Sequence, residues 1–279
     1  MMRTRNAMQL KALVKNRAKE SGVSAQLMLQ NYMLERLLER ISLSEYRDQI
    51  IIKGGVLIAS LIGSDKRTTM DLDTTVKGFA LSHESARSVF ERICAIDAGD
   101  GIGFELLRIE DIREQDDYPG LRASLKANYP PLSVPLTVDM TTGDKITPEA
   151  IRYSYPLLFE DRSIQVMAYN IETVLAEKLE TILSRGTANT RPRDYYDIHV
   201  IIRLQGDRCD FTVLHDAFEH TATKRGSLYT LAEYRSIVGE IRADETMRAQ
   251  WGKYTRKFSY AEGISFEACD TVLEVMDRL

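Results

Sequence analysis

The feature that most constrains this 279-residue chain is residues 50–76, I-I-I-K-G-G-V-L-I-A-S-L-I-G-S-D-K-R-T-T-M-D-L-D-T-T-V. Three β-branched residues, Ile50 to Ile52, predict a short buried strand that ends at Lys53 and the pair Gly54-Gly55, where the backbone is free to turn sharply. The apolar run 56–62 then predicts a short helix stopped by Gly63. In Met70-Asp71-Leu72-Asp73, strand alternation sends Asp71 and Asp73 to one face and Met70 and Leu72 to the other. Two carboxylates held side by side raise each other's pKa, and a divalent cation removes the conflict. Hard oxygen ligands with open coordination positions suit Mg²⁺ that also holds phosphates. The unhindered N–H groups of Gly54 and Gly55 at a helix start offer a site for phosphate oxygens. A plain tight turn with aspartates on a solvated edge strand is the bland alternative, and the D-x-D spacing beside the glycines weighs against it.

With 44% hydrophobic and 28% charged residues the composition is that of a globular protein with a substantial core. A net charge of −4 does not predict nucleic-acid binding from bulk charge, so any such contact must rest on local basic patches. Cys94, Cys209 and Cys269 show neither metal-ligand spacing nor a disulfide framework. No signal peptide and no apolar run long enough to span a bilayer are visible, so a cytoplasmic location, with no membrane partner, is expected. Helical spacing from Met8 to Ile41 predicts two helices, the second capped by Ser24. Their lysines and arginines read mostly as a solvated face, with Lys11, Lys15 and Arg17 also open to an acidic partner. A helix over 82–95, with Ser82 as cap and Val89, Phe90 and Ile93 inward, is followed by β-rich runs at 104–113, 122–128 and 133–140. In the last run Val134, Leu136 and Val138 share one side and Asp139 the other. A two-metal site usually needs a third carboxylate, which makes Asp139 a candidate beyond its role as a turn former.

After a last strand at 164–167 the pattern becomes helical, which divides the chain into 1–168 and 169–279. Asn170 caps a helix in which Lys178 lies on the apolar arc while Glu177 and Glu180 point outward. An inward lysine calls for a partner or snorkels at the core edge. In R-P-R-D-Y-Y-D-I-H-V-I-I, Asp194 can cap the helix and Asp197 lies one turn on along the same face. The remainder, 211–279, reads as a helical bundle without a catalytic motif. His83, His199, His215 and His220 form no zinc-hydrolase pairing, no Walker lysine follows the glycines, and no G-x-S-x-G is present.

Four segments, G-G-V-L from Gly54, R-T-T-M-D-L-D from Arg67, A-E-K-L-E from Ala176 and R-P-R-D-Y-Y-D from Arg191, together resemble the motifs of the AbiEii-type nucleotidyltransferase toxins of abortive-infection and toxin–antitoxin operons. The resemblance implies an α+β fold: a polymerase-β-like nucleotidyltransferase core with a mixed sheet, flanked by N-terminal helices and followed by a helical domain. It implies Mg²⁺-dependent transfer of a nucleotide from an NTP to an RNA acceptor, with tRNA 3′ ends the expected class, a role in phage defence, and a cognate antitoxin as partner. Carried over by position, Asp71 and Asp73 match the metal-binding pair, Thr69 the hydroxyl two before it, and Gly54 and Gly55 the phosphate-contacting turn. Lys178 matches the lysine that holds the triphosphate and Asp194 the aspartate that completes the site. Asp139 is aligned by strand position; Asp139, Asp194 and Asp197 all remain candidates for the third carboxylate. Two rival classes stay open: a nucleotidyltransferase that modifies a protein or small molecule, and a non-catalytic binding module of the same fold.

Overall fold

The computed structural model describes residues 6–63, 65–112 and 120–279, and its contacts divide the chain into two units. The first comprises Met1–Asp144 and Ile151–Ala168, the second Lys145–Ala150 and Tyr169–Leu279.

The first unit opens with α1 (Ala7–Ser21) and α2 (Ala25–Leu43). Ser24 caps α2 as predicted, its hydroxyl accepting the Leu27 N–H at 3.2 Å. Then follow β1 (Ile50–Lys53), α3 (Gly54–Ile62), β2 (Leu72–Val76), α4 (His83–Cys94), β3 (Gly103–Asp111), β4 (Leu121–Tyr129), β5 (Leu132–Thr142), β6 (Ile151–Pro156) and β7 (Ser163–Ala168). The strands form one sheet in the order β3-β4-β5-β2-β1-β7-β6. The pairs β1–β7 and β2–β5 are parallel and the others antiparallel, so the α+β fold with a mixed sheet is realised. One face carries Ile50, Ile52, Leu72, Leu125, Leu136 and Val138, all buried, and α2 and α4 pack against the sheet. Ser82 and Ser85 form a reciprocal capping box at the start of α4, which buries Val89, Phe90 and Ile93 as its spacing predicts. Residue 113, the expected end of the third strand, lies outside the described residues; β3 ends at Asp111. The sequence pattern did not reveal β6, whose alternation is broken by exposed Ile151 and Arg152.

Met70 does not share a face with Leu72. The strand begins only at Leu72, which is fully buried, while Met70 precedes it and is 62% exposed.

The second unit is helical: α5 (Ile171–Arg185), α6 (Pro192–Gln205), α7 (Phe211–Arg225), α8 (Thr230–Ala243), α9 (Glu245–Lys257) and α10 (Asp270–Met276). Asn170 caps α5, accepting the Thr173 N–H at 2.8 Å, and donates to the Thr147 carbonyl at 2.6 Å. Helix α5 packs against α6, α7 and α8, which explains a failed expectation. Glu180 points not outward but inward, 2% exposed, where it accepts from the Ser227 hydroxyl at 2.7 Å and from Arg225. A single-helix projection cannot show a neighbour arriving on the polar side. Among the described residues no helix is long and apolar enough to cross a membrane.

Candidate active site

The sheet face opposite α2 carries a row of charges, one from each of four adjacent strands. In register, Lys53 of β1 faces Asp73 of β2, Asp73 faces Asp139 of β5, and Asp139 faces Arg122 of β4. Directly paired residues project to the same side, so the row reads plus, minus, minus, plus. Asp71, just before β2, joins it: carboxylate oxygens of Asp71, Asp73 and Asp139 all lie within 4.8 Å of one another, and all three side chains are half-buried.

Burial and the neighbouring Asp71 push the Asp73 carboxyl above its ordinary range, Asp139 adds to the effect, and Lys53 and the Gly55 N–H partly offset it. Asp139 is held differently. Arg122 grips it with two hydrogen bonds, both 2.7 Å, from Nε and one terminal nitrogen. Thr69 donates its hydroxyl to Asp71 Oδ1 at 2.9 Å and so orients the first carboxylate of the pair.

The two glycines at the start of α3 are there for space. A Cβ on Gly54, whose φ is +61°, would lie 2.0 Å from Asp73 Oδ2. One on Gly55 would lie 2.6 Å from the Thr69 hydroxyl, and the Gly55 N–H points at Asp73 Oδ2 at 3.4 Å. The pair therefore lets the helix start close directly over the carboxylates, and it leaves backbone N–H groups beside them.

Sequence reasoning passed over Lys53, Asp144 and Arg122. Lys53 Nζ donates to Asp144 Oδ2 at 2.6 Å and to the Thr141 hydroxyl at 2.9 Å. Burial works against the charge of Asp144, yet Lys53 with the hydroxyls of Thr141 and Thr75 holds its carboxyl well below the usual range. The signal for Lys53 was its position two residues after Ile51, on the face later shared with Asp73. Arg122 gives no such signal, since only the β4–β5 register brings it to Asp139.

In the helical unit Lys178 donates to Asp194 Oδ1 at 2.7 Å and lies 2.7 Å from Asp197 Oδ2. Burial opposes the ammonium, but the two carboxylates more than offset this and raise its pKa. Asp194 is not the cap of α6: Arg191 occupies that position, Pro192 begins the helix, and Asp194 sits in the first turn with its carboxylate turned to Lys178. Of the candidates for a third carboxylate, the first unit itself supplies Asp139.

A family model described as "Nucleotidyl transferase AbiEii toxin, Type IV TA system" matches residues 36–275. The chain belongs to that family. As an AbiEii protein it is a nucleotidyltransferase, and its type IV toxin–antitoxin class implies a nucleotide substrate and an antitoxin partner. A putative nucleotidyltransferase from H. pylori is similar in structure at a TM-score of 0.49 and 14% identity, covering 92% of this chain and 94% of that one. An antigenic nucleotidyltransferase-like protein from Paracoccidioides brasiliensis is similar at 0.40 and 16%, covering 72% and 90%. No protein of curated function matches the chain.

The three carboxylates Asp71, Asp73 and Asp139 fit a hard divalent cation. They are oxygen donors, they converge, and among the described residues no ion pair joins Asp71 or Asp73 to a cation as Arg122 is joined to Asp139.

Proposed function

We propose that this protein is a Mg²⁺-dependent toxin that transfers a nucleotide from an NTP to an RNA acceptor, with tRNA 3′ ends the acceptor class, in the cytoplasm of a cell defended against phage. The observation that carries the reading is the convergence of Asp71, Asp73 and Asp139 beside the side-chain-free start of α3. That combination provides for phosphates as well as for a cation.

In this reading Asp71 and Asp73, with Asp139, hold Mg²⁺, which when bound offsets negative charge on the triphosphate and on the departing pyrophosphate. Thr69 keeps Asp71 aimed at the site. The N–H groups at Gly54 and Gly55 take phosphate oxygens, at a turn that a Cβ would push off Asp73 and Thr69. The acceptor hydroxyl oxygen forms a bond to the α-phosphorus, the bond from that phosphorus to the bridging oxygen breaks, and pyrophosphate leaves. Asp139 is placed to receive the hydroxyl proton once Arg122 releases it. Lys178 and Asp194 enter as motif residues of the family; their charges meet each other, and we assign them the task of holding α5 to α6, on which their contribution to transfer depends.

The test is to incubate the purified protein with each α-labelled NTP, Mg²⁺ and total RNA. Label on RNA that disappears with EDTA and in Asp73→Asn is expected. Label on protein, or on no macromolecule with any of the four nucleotides, would overturn the reading.

A further inference from the structure

A second region of the chain is built for a polyanion, although the net charge of −4 gives no bulk attraction for one. Residues 246–261 contain no acidic side chain and four basic ones, Arg248, Lys253, Arg256 and Lys257. They fall on α9, which Asp244 caps by accepting the Met247 N–H at 2.8 Å. Met247, Trp251 and Tyr254 form its buried stripe, and Trp251 is pinned by a 3.0 Å hydrogen bond to the Ile264 carbonyl. With that stripe fixed inward, the four cations are turned out, and all four are exposed. Arg248 donates to the Arg242 carbonyl at 2.9 Å and lies 5.6 Å over the Phe266 ring, Lys257 lies 5.2 Å over the Phe258 ring, and no described carboxylate forms an ion pair with Lys253, Arg256 or Lys257.

A separate observation concerns Gly252, midway between Arg248 and Arg256 at four-residue spacing. Glycine in a helix interior is unfavourable, and here packing does not require it: an added Cβ would meet only the end of the Arg256 side chain, at 3.5 Å. Gly252 is half-buried with only the end of the Arg256 side chain over it, so a partner that draws Arg256 onto a phosphate meets backbone where any other residue would present a side chain. Cations on either side of such a point match phosphates spaced along a strand.

We propose that the outward face of α9 is a binding surface for the sugar-phosphate backbone of an RNA, with Lys253, Arg256 and Lys257 on phosphates and Gly252 the point of closest approach. This deepens the transfer reading by locating acceptor contacts on the helical unit. The experiment measures binding of the full chain to a fluorescent RNA hairpin with a single-stranded 3′ end, by anisotropy across a salt series without NTP. The triple variant Lys253→Gln, Arg256→Gln, Lys257→Gln should bind at least about tenfold more weakly, with the log–log salt slope shallower by about 2, from three lost contacts at about 0.7 each. Gly252→Ala should melt higher yet bind RNA more weakly, a combination that a purely structural glycine would not give. Both variants should keep the thermal shift produced by NTP with Mg²⁺. Unchanged RNA affinity and slope would overturn the surface, as would variants that keep RNA affinity but lose a co-expressed antitoxin. If wild type labels RNA while the variants bind like wild type, only the surface fails; if wild type neither binds nor labels RNA, the transfer reading fails with it.

Discussion

Two clusters in this protein each place carboxylates against each other, and they resolve the conflict in opposite ways. In the helical unit Asp194 and Asp197 share the ammonium of Lys178, and Asp197 is fully buried. The cation is supplied by the chain, and the group is closed. On the sheet, Asp71 and Asp73 stand together half-buried, and among the described residues neither forms an ion pair, while Lys53 pairs with Asp144 and Arg122 with Asp139. The pKa directions differ accordingly: Asp194 and Asp197 outweigh burial and raise that of Lys178, whereas burial and Asp71 raise that of the Asp73 carboxyl. A cluster with its own counter-ion serves the fold; the proposed function has the other completed by a cation from solution.

The largest difference should appear in Asp73→Asn. Removing a half-buried carboxylate that Asp71 and Asp139 repel does not weaken the fold, while loss of a metal ligand removes several kcal/mol of transition-state stabilisation, about 10³-fold in rate or more. Melting temperature and transfer rate measured together check this. A variant that melts far below wild type would mean that Asp73 is structural and that the contrast between the clusters is mistaken.

Lys178→Met should do the reverse. It leaves Asp194 and Asp197 buried without their cation, at a cost of about 3–5 kcal/mol. Adding Asp197→Asn should restore part of that loss, because the two changes touch one ion pair and cannot be additive. A single variant as stable as wild type would show that Lys178 is not the counter-ion of the closed cluster.

How far this contrast was legible in the sequence depended on range. Local signals held: the strand, glycine pair and helix from Ile50 to Ile62, the caps Ser24, Ser82 and Asn170, and the alternation that put Asp139 on the face opposite Val138. What failed needed a partner distant in sequence. The parallel pairing of β2 with β5 sets Asp73 beside Asp139, 66 residues on, and the β4–β5 register alone brings Arg122 to Asp139. Local chemistry misled at Asp194 for a related reason: a residue type suited to capping was drawn off by Lys178 on another helix. The glycine pair was found, but for phosphate binding; its contact with Asp73 and Thr69 required the folded turn.

A third group sharpens the comparison, since its two cations are fewer than its acids: Arg162 pairs with Glu39 at 2.8 Å and Glu160 at 2.7 Å, which leaves Glu35 to Arg36 alone. Arg36 contacts Glu35 at 2.6 Å, Glu39 at 2.9 Å and Glu160 at 2.7 Å, all in buried surroundings. Burial pushes the Glu35 carboxyl up to about 7 despite Arg36 and the Leu158 N–H, which it accepts at 2.5 Å. A pKa raised on folding means that the native state binds more protons between the ordinary 4.5 and about 7. The stabilisation is therefore complete below that window and is lost as pH rises through it, up to about 3 kcal/mol in all. Denaturation midpoints should fall across that range in wild type and stay flatter in Glu35→Gln, whose amide can still accept the Leu158 N–H. Equal slopes would show that Arg36 neutralises Glu35 as fully as Lys178 does its pair.

The smallest effect should come from Arg122, and it bears on whether Asp139 belongs to the open cluster at all. Its guanidinium occupies both oxygens of Asp139, yet its side chain is 43% exposed, so the pair contributes no more than about 1 kcal/mol. If Asp139 is a metal ligand, Arg122 competes with the cation for the same oxygens. In Arg122→Gln the metal-free protein should then melt slightly lower, because three carboxylates face each other with one fewer cation. The upward shift on adding Mg²⁺ or Mn²⁺ should grow, with metal binding tighter by up to about fivefold, the equivalent of that 1 kcal/mol. Arg122→Lys, which loses the two-pronged grip but keeps the charge, should fall between the two. A metal-induced shift that is unchanged or smaller in Arg122→Gln would mean that the cation never reaches Asp139, that Asp71 and Asp73 hold it alone, and that Asp139 belongs with the closed, self-neutralised kind of cluster.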